Sequence, residues 1–242
     1  MASPPQPSAA AEQPCKGSCP ISSWCGRHGQ LPAASERPLQ PQAMARRPGM
    51  VIARQGDDAA TLMILREGAV KAVLQSTSGT EHIGAFYFPG DILNLCALED
   101  DRHHASVIPL SAATVCHIPK HLLQTHMRHN TALASALLQA SIQALRHATW
   151  LAALLSQGCA EERIAVFLRA LAEKAPGASR PPYQLQLAMS RRDMANHLGL
   201  AVATVSRALG QLEQQGLVRC SGRTILFPGG PSWGKGPAST WQ

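Results

Sequence analysis

The sequence lacks three features, and each absence argues against a class of protein. No apolar run is long enough to span a bilayer, which argues against a membrane protein. The first residues, MASPPQPSAAAEQP, lack the basic start and apolar core of a secretory signal peptide, so we expect the seven cysteines to be reduced thiols of a cytoplasmic protein. A nucleophile–base signature and a phosphate-binding glycine loop are also missing, which argues against an enzyme.

Acidic residues are missing from one long stretch. No Asp or Glu occurs between Asp101 and Glu161, whereas the same stretch holds seven histidines. We expect these histidines to be solvated or packed, because no pair shows a metal-ligand spacing together with a third partner. The net charge of +7 and the pI near 9.3 favour a polyanionic partner.

The cysteines form a close group with one distant member. Cys15, Cys19 and Cys25 lie in the run PCKGSCPISSWC, and Cys116 follows much later in ATVCHIP. Three clustered thiolates and one distant thiolate can close a four-ligand site across a folded domain. Thiolates are soft ligands that select iron–sulfur clusters, zinc or copper(I). The other three cysteines are expected to act as small apolar packing residues: Cys96, Cys159 and Cys220.

The distribution of apolar runs predicts an α+β chain. Short apolar runs separated by Gly, Asp and Pro predict a β-roll or jelly roll, while prolines keep the residues before it in a loop. The predicted segments are a disordered N-terminus with a cysteine-bearing loop (1–48), a β-roll (49–119), a long helix (120–158), a winged helix-turn-helix domain (159–227) and a flexible tail (228–242).

The long helix carries two apolar stripes. One repeats as a heptad through Leu133, Leu137, Ala140, Ala144, His147, Leu151 and Leu154. The other runs through Leu138, Ile142, Leu145 and Ala152. Two stripes require two partners, so we expect one to cover the β-roll and the other to meet a second copy of the helix; a single wide stripe within one monomer is the alternative. We predict the dimer contact at His147, Trp150, Leu151 and Leu154, with packing of Trp150 on its own β-roll as an equal alternative.

The C-terminal pattern predicts a DNA-binding module. Ser190 is a suitable N-cap, Gly199 supplies a tight turn, and VRCSGRTILF predicts two short strands that form a wing. The predicted DNA contacts are Arg191 and Arg192 on phosphate, Val202 and Ala203 on thymine methyl groups, Ser206 on a base edge and Arg207 on guanine O6/N7. A helical hairpin with a solvated basic face is the plainer alternative, and the order helix, turn, helix, wing disfavours it.

From Cys15 to Phe227 the chain resembles the Crp/Fnr family of bacterial transcription regulators, and most of all its oxygen-sensing Fnr branch. The resemblance is carried by MSRRDMANHLGLAVATVSRALGQLEQQGLV, AEERIAVFL and CPISSWC. It implies a 4Fe–4S cluster on Cys15, Cys19, Cys25 and Cys116, with the β-roll as sensor domain. It also implies a homodimer that binds double-stranded DNA at a palindromic operator and works with RNA polymerase.

Two other uses of the same chain remain open, and a third is disfavoured. A zinc-stabilised DNA-binding protein and a thiol–disulfide switch could both use the same cysteines. Cyclic-nucleotide binding is disfavoured, because Asp91 replaces the Glu of that pattern in PGDILNLCALEDDRHHASV and no Arg–Ser or Arg–Ala pair follows; Arg102 is the remaining candidate for a phosphate contact. Two positions depart from the Fnr pattern in the second helix: Ala201 stands where Ser or Thr is usual, and Ala203 where Glu is usual.

Overall fold

A computed structural model describes residues 19–25, 42–156, 159–174 and 183–230, which fall into two compact units, Met1–Ala144 and Leu145–Gln242. Cys15, most of the predicted disordered N-terminus and residues 231–242 of the predicted tail lie outside the described residues. Among the described helices, none has the length and apolarity that crossing a membrane requires.

In its described residues, the first unit contains seven strands in two antiparallel sheets. The strands are β1 (Gln42–Arg46), β2 (Thr61–Glu67), β3 (Val70–Gln75), β4 (Glu81–Tyr87), β5 (Ile92–Leu93), β6 (Ser106–Pro109) and β7 (Ala113–Pro119). Their order is β1-β7-β2-β5 in one sheet and β4-β3-β6 in the other. This arrangement confirms the β-roll and the α+β class.

Strand β1 corrects the expectation of a loop before residue 49. It lies at the edge of its sheet and pairs with β7 from Gln42↔His117 to Arg46↔Ala113. Pro41 and Pro48 flank it, which hid the strand in the sequence, although proline is tolerated at the ends of an edge strand.

The first sheet has two buried faces, because side chains alternate along each strand. Met63, Leu65 and Val115 belong to an apolar cluster with residues of the other sheet, such as Val70 and Val107. On the opposite face, the cluster comprises Ile21, Ala43, Leu62, Ile64, Ile92, Cys116, Ile118, Leu123, Leu133 and Leu137. The second face therefore joins β-strands, helices and the N-terminal cysteine segment in one core.

The predicted long helix is two helices. Helix α1 spans Lys120–His129 and α2 spans Thr131–Leu155. Between them, Asn130 has extended backbone, and its Oδ1 accepts a hydrogen bond of 3.0 Å from the Leu133 amide. Asparagine is a strong N-cap, so it ends one helix and begins the next.

Residues 159–174 and 183–230 of the second unit form three further helices and a small sheet. Helix α3 (Ala160–Lys174) is followed by β8 (Gln184–Gln186), α4 (Arg191–His197), α5 (Val202–Gln214), β9 (Arg219–Ser221) and β10 (Thr224–Leu226). The strand order is β8-β10-β9, all antiparallel. This arrangement confirms the predicted helix-turn-helix with its wing.

Candidate nucleic-acid interface and cysteine cluster

The first helix of the DNA-binding module begins at a reciprocal cap. The Ser190 hydroxyl accepts a hydrogen bond of 3.1 Å from the Asp193 amide, and Asp193 Oδ2 accepts one of 3.0 Å from the Ser190 amide. These bonds satisfy two backbone donors that a helix start otherwise leaves unpaired. Gly199 then adopts φ +62°, in the left-handed region that suits glycine, and the chain turns into α5.

Helix α5 separates a buried face from an exposed one. Its buried residues are Val205, Ala208, Leu209 and Leu212. The exposed residues include the four predicted base contacts: Val202, Ala203, Ser206 and Arg207. The helix therefore presents the predicted contact residues to solvent on one side.

The exposed residues of α5 offer two kinds of chemistry. The Arg207 guanidinium lies 3.4 Å from Thr204 Oγ1, a long contact that leaves its other donors for a base edge. The Ser206 hydroxyl donates to the Val202 carbonyl at 3.2 Å and can still accept. Val202 is 46% exposed and offers an apolar contact for a thymine methyl group.

The predicted phosphate contacts differ from each other. Arg192 is exposed, whereas Arg191 is half-buried and hydrogen-bonded to the thiol of Cys220 in the wing. The wing also exposes Arg219 and Arg223. The sequence predicted Cys220 only as an apolar packing residue, because no spacing signal reveals a contact between an N-terminal helix residue and a later strand.

Three of the four predicted cluster ligands lie among the described residues of the first unit. Cys25 is 3% exposed and Cys116 is 5% exposed, while Cys19 is half-buried. Cys116 lies on β7, opposite Ala43 of β1 and Ile64 of β2. Cys19 packs against the same apolar cluster that contains Cys116, so the fold brings the N-terminal segment and β7 together.

The donor chemistry of these thiols fits an iron–sulfur cluster, which thiolates bind in largely apolar surroundings. Within residues 19–25, 42–156, 159–174 and 183–230, however, no three Cys, His, Asp or Glu side chains are grouped as a metal site. The described cysteines therefore provide suitable ligands on one face of the sheet without forming a closed ligand set.

Comparison with known proteins assigns both units. The cyclic nucleotide-binding domain matches residues 45–130, and the Crp-like helix-turn-helix domain matches residues 162–228. The transcriptional activator protein anr of Pseudomonas aeruginosa is 32% identical over 177 residues, 73% of this chain and 72% of that protein. The chain belongs to the Crp/Fnr family. It is accordingly a DNA-binding transcription regulator and not an enzyme, which confirms both predictions.

Other relatives of this Crp/Fnr regulator agree. The fumarate and nitrate reduction regulatory protein of Vibrio cholerae is 29% identical over 179 residues, 74% of this chain and 72% of that protein. The solved structure of FixK2 from Bradyrhizobium japonicum has a TM-score of 0.71 and 30% sequence identity, and the match covers 78% of this chain and 93% of that one. Crp/Fnr regulators bind DNA and act as dimers.

Asp91 and Arg102, the two residues discussed above for nucleotide binding, make internal contacts. Asp91 Oδ2 accepts a hydrogen bond of 2.9 Å from the Phe88 amide, and Arg102 Nη1 donates to the Gly56 carbonyl at 2.7 Å. Asn94, with φ +50°, donates to the Ala105 carbonyl at 2.7 Å. These bonds close the turn at Asp91 and tie the following loop to its neighbours.

The exposed apolar stripe of α2 is not the one predicted for the dimer. Leu154 is only 2% exposed, and His147 stacks on Trp150 of its own chain with ring centroids 5.5 Å apart. Exposed leucine and isoleucine side chains lie instead on the other stripe: Leu138 at 61%, Ile142 at 46% and Leu145 at 67%. An exposed stripe with this helical spacing is typical of a contact with another helix.

Proposed function

We propose that this Crp/Fnr regulator senses oxygen or redox state through a 4Fe–4S cluster and binds a palindromic operator as a homodimer. The proposed ligands are Cys15, Cys19, Cys25 and Cys116. The observation that carries the proposal is an apolar core shared by three parts of the chain: the cysteine segment (residues 19–25), β7 and α2. In that core, Ile21 is 1% exposed and belongs to the same cluster as Cys116, Leu133 and Leu137.

This shared core supports a path from the cysteines to the helix. Ile21 lies between Cys19 and Cys25 in the sequence, so the position of the two thiols and the packing of Ile21 are coupled. A bound cluster supplies an oxygen-sensitive link between the N-terminal segment and β7. Without that link, the position of Ile21 would be less constrained, and Leu133 and Leu137 would lose a fixed neighbour.

The DNA-binding part of the proposal uses α5 and the stripe on α2. Two copies joined through Leu138, Ile142 and Leu145 would present two copies of α5, the recognition helix, to one operator. Half-sites one helical turn apart, roughly 34 Å, are the usual match for such a dimer. Looser packing of α2 on its own sheet would alter this pairing and weaken operator binding.

RNA polymerase is the second proposed partner. One relative is named a transcriptional activator, and activation requires productive contact with the transcription machinery.

The test is anaerobic purification followed by an absorption spectrum, iron and sulfide assays and operator binding before and after air. We expect a brown, oxygen-labile protein with four irons per chain, by the definition of the cluster, and loss of operator binding in air. Zinc in place of iron would favour a zinc-stabilised regulator. Metal-free protein that gains a mapped disulfide on mild oxidation would favour a thiol switch.

A further inference from the structure

The edge strand of the wing, β9, is attached to both helices of the DNA-binding module. Its central residue, Cys220, pairs with Ile225 of β10 on one side. On the other side, the Cys220 amide donates a hydrogen bond of 3.0 Å to Glu213 Oε1, in the last turn of α5. An edge strand has a row of unpaired backbone groups, and here a carboxylate from the recognition helix pairs one of them.

The second attachment comes from α4. Arg191 is hydrogen-bonded to the thiol of Cys220. Burial raises the pKa of the Cys220 thiol, and the Arg191 guanidinium opposes that rise. Arg191 Nη1 is shielded from solvent and, within the described residues, has no hydrogen-bond partner. The guanidinium is therefore packed towards the wing, unlike that of the exposed neighbour Arg192.

These contacts bear on the basic residues of the wing. Arg219 and Arg223 are exposed on either side of the turn at Gly222, which has φ +60°. Strand β9 is only three residues long, so its pairing with β10 alone constrains its position weakly. Contacts from Arg191 and Glu213 supply the constraint that the short ladder lacks.

We propose that Arg191 and Glu213 are positioning residues that hold the wing against the recognition helix through Cys220. They fix where Arg219 and Arg223 lie relative to Arg207 and thereby set the fit to the phosphate backbone. Arg191 in this role acts through the wing instead of contacting phosphate itself. The inference rests on DNA binding by this module, but the attachment can be measured without DNA.

The first experiment measures amide hydrogen exchange in the unbound full-length protein. Arg191→Ala and Glu213→Ala should each speed exchange of the amides at 219–221 by about fivefold, the effect of losing one hydrogen bond. Arg192→Ala is the matched control and should leave them unchanged. Amides of α4 and α5 report whether each variant is folded. Unchanged exchange at 219–221 in both variants overturns the proposal, whatever the protein does on DNA.

The second experiment compares Glu213→Ala with Glu213→Gln in operator binding. Both remove a negative charge, which by electrostatics alone should strengthen binding to DNA equally. Only Gln keeps an oxygen that can accept from the Cys220 amide. We expect Glu213→Ala to bind about fivefold more weakly than Glu213→Gln. Equal affinities overturn the positioning role, whereas a parent protein that binds no operator refutes DNA binding and leaves the exchange result to decide the attachment.

Discussion

The two units keep their candidate functional residues in opposite environments. In the DNA-binding unit, Ser206 and Arg207 are exposed on α5 and contribute little to the core. In the β-roll unit, Cys25 and Cys116 are buried, and Cys116 is part of an apolar cluster. Exposed residues can be replaced with little cost in stability, whereas a buried cysteine is at once a candidate ligand and a packing residue. Variants of the two units therefore need different controls.

The largest expected effect is at Cys116. Cys116→Ser should abolish the brown, oxygen-labile absorption together with the bound iron and sulfide, because a hydroxyl is a poor substitute for a thiolate ligand. Iron and sulfide assays on anaerobically purified protein measure this. Cys19→Ser and Cys25→Ser should behave alike.

Two controls separate ligation from packing at Cys116. Cys116→Ala keeps an apolar side chain in the cluster and should still lose the iron. Cys96→Ser changes an exposed cysteine of the same unit and should retain it. If the Cys116→Ser protein keeps full iron and sulfide, the ligand assignment is wrong.

The second-largest expected effect is on dimerisation, which involves neither the cysteines nor the DNA contacts directly. Leu145→Glu should weaken dimerisation about 100-fold, because the two Leu145 side chains that the proposed dimer would bury are replaced by charges. Analytical ultracentrifugation of the anaerobically purified protein measures the change. Leu122→Glu, at an exposed leucine of α1, is the control. A greater loss of dimer affinity with Trp150→Asp than with Leu145→Glu would instead support the dimer contact around Trp150 that the sequence predicts.

In the DNA-binding unit, Arg207→Ala should cost about 1–3 kcal/mol at one base pair and relax specificity there. Arg192→Ala should weaken binding to all sequences and lower the salt slope by about one. Titrations against a set of single-base operator variants at several salt concentrations distinguish the two effects. A uniform loss for Arg207→Ala across the set would make it a phosphate contact.

The sequence predicted local features well and long-range contacts poorly. The cap at Ser190, the turn at Gly199 and the exposed face of α5 follow from short spacings, and the structure contains all three. The break at Asn130 was missed because apolar periodicity continues across it. The attachment of Arg191 to Cys220 depends on how the wing folds back, which no local pattern encodes.

The same reasoning applies to the stripes of α2. Periodicity identified both stripes, but which one is exposed depends on the surface that each half of the helix packs against. Leu133 and Leu137 join the β-roll cluster, and Leu154 is buried in the second unit. The apolar surface left over is therefore a property of the folded chain and not of the heptad pattern.

Acid should destabilise the second unit through His147. Burial, followed by the charges of Lys174 and His197, lowers the pKa of His147 to about 4. The unfolded chain, with an ordinary histidine pKa near 6.5, then binds the proton more readily, so stability falls as the pH drops from about 6.5 to about 4.

Thermal unfolding between pH 7 and pH 4 measures this dependence. His147→Leu should show a shallower decline than the parent, because it has no proton to take up. His129→Leu, at an exposed histidine of α1, should follow the parent. Identical pH profiles for the parent and His147→Leu would contradict the assignment.

The smallest effect tests the start of the recognition helix. Ala201 occupies its N-cap with extended backbone, φ −74° and ψ 147°, and makes no side-chain cap hydrogen bond. A serine there can accept a hydrogen bond from the amide of Ala203 or Thr204, the second and third residues of the helix, and should stabilise the protein by about 1 kcal/mol. The matched control is Ala203→Ser, two residues on and also exposed. Serine inside a helix has a lower propensity than alanine, so this variant should be slightly less stable than the parent.

The two substitutions add the same hydroxyl but shift the unfolding temperature in opposite directions, by about 2–4 °C upwards for Ala201→Ser. Shifts of the same sign would show that the added hydroxyl, and not the cap, determines the change.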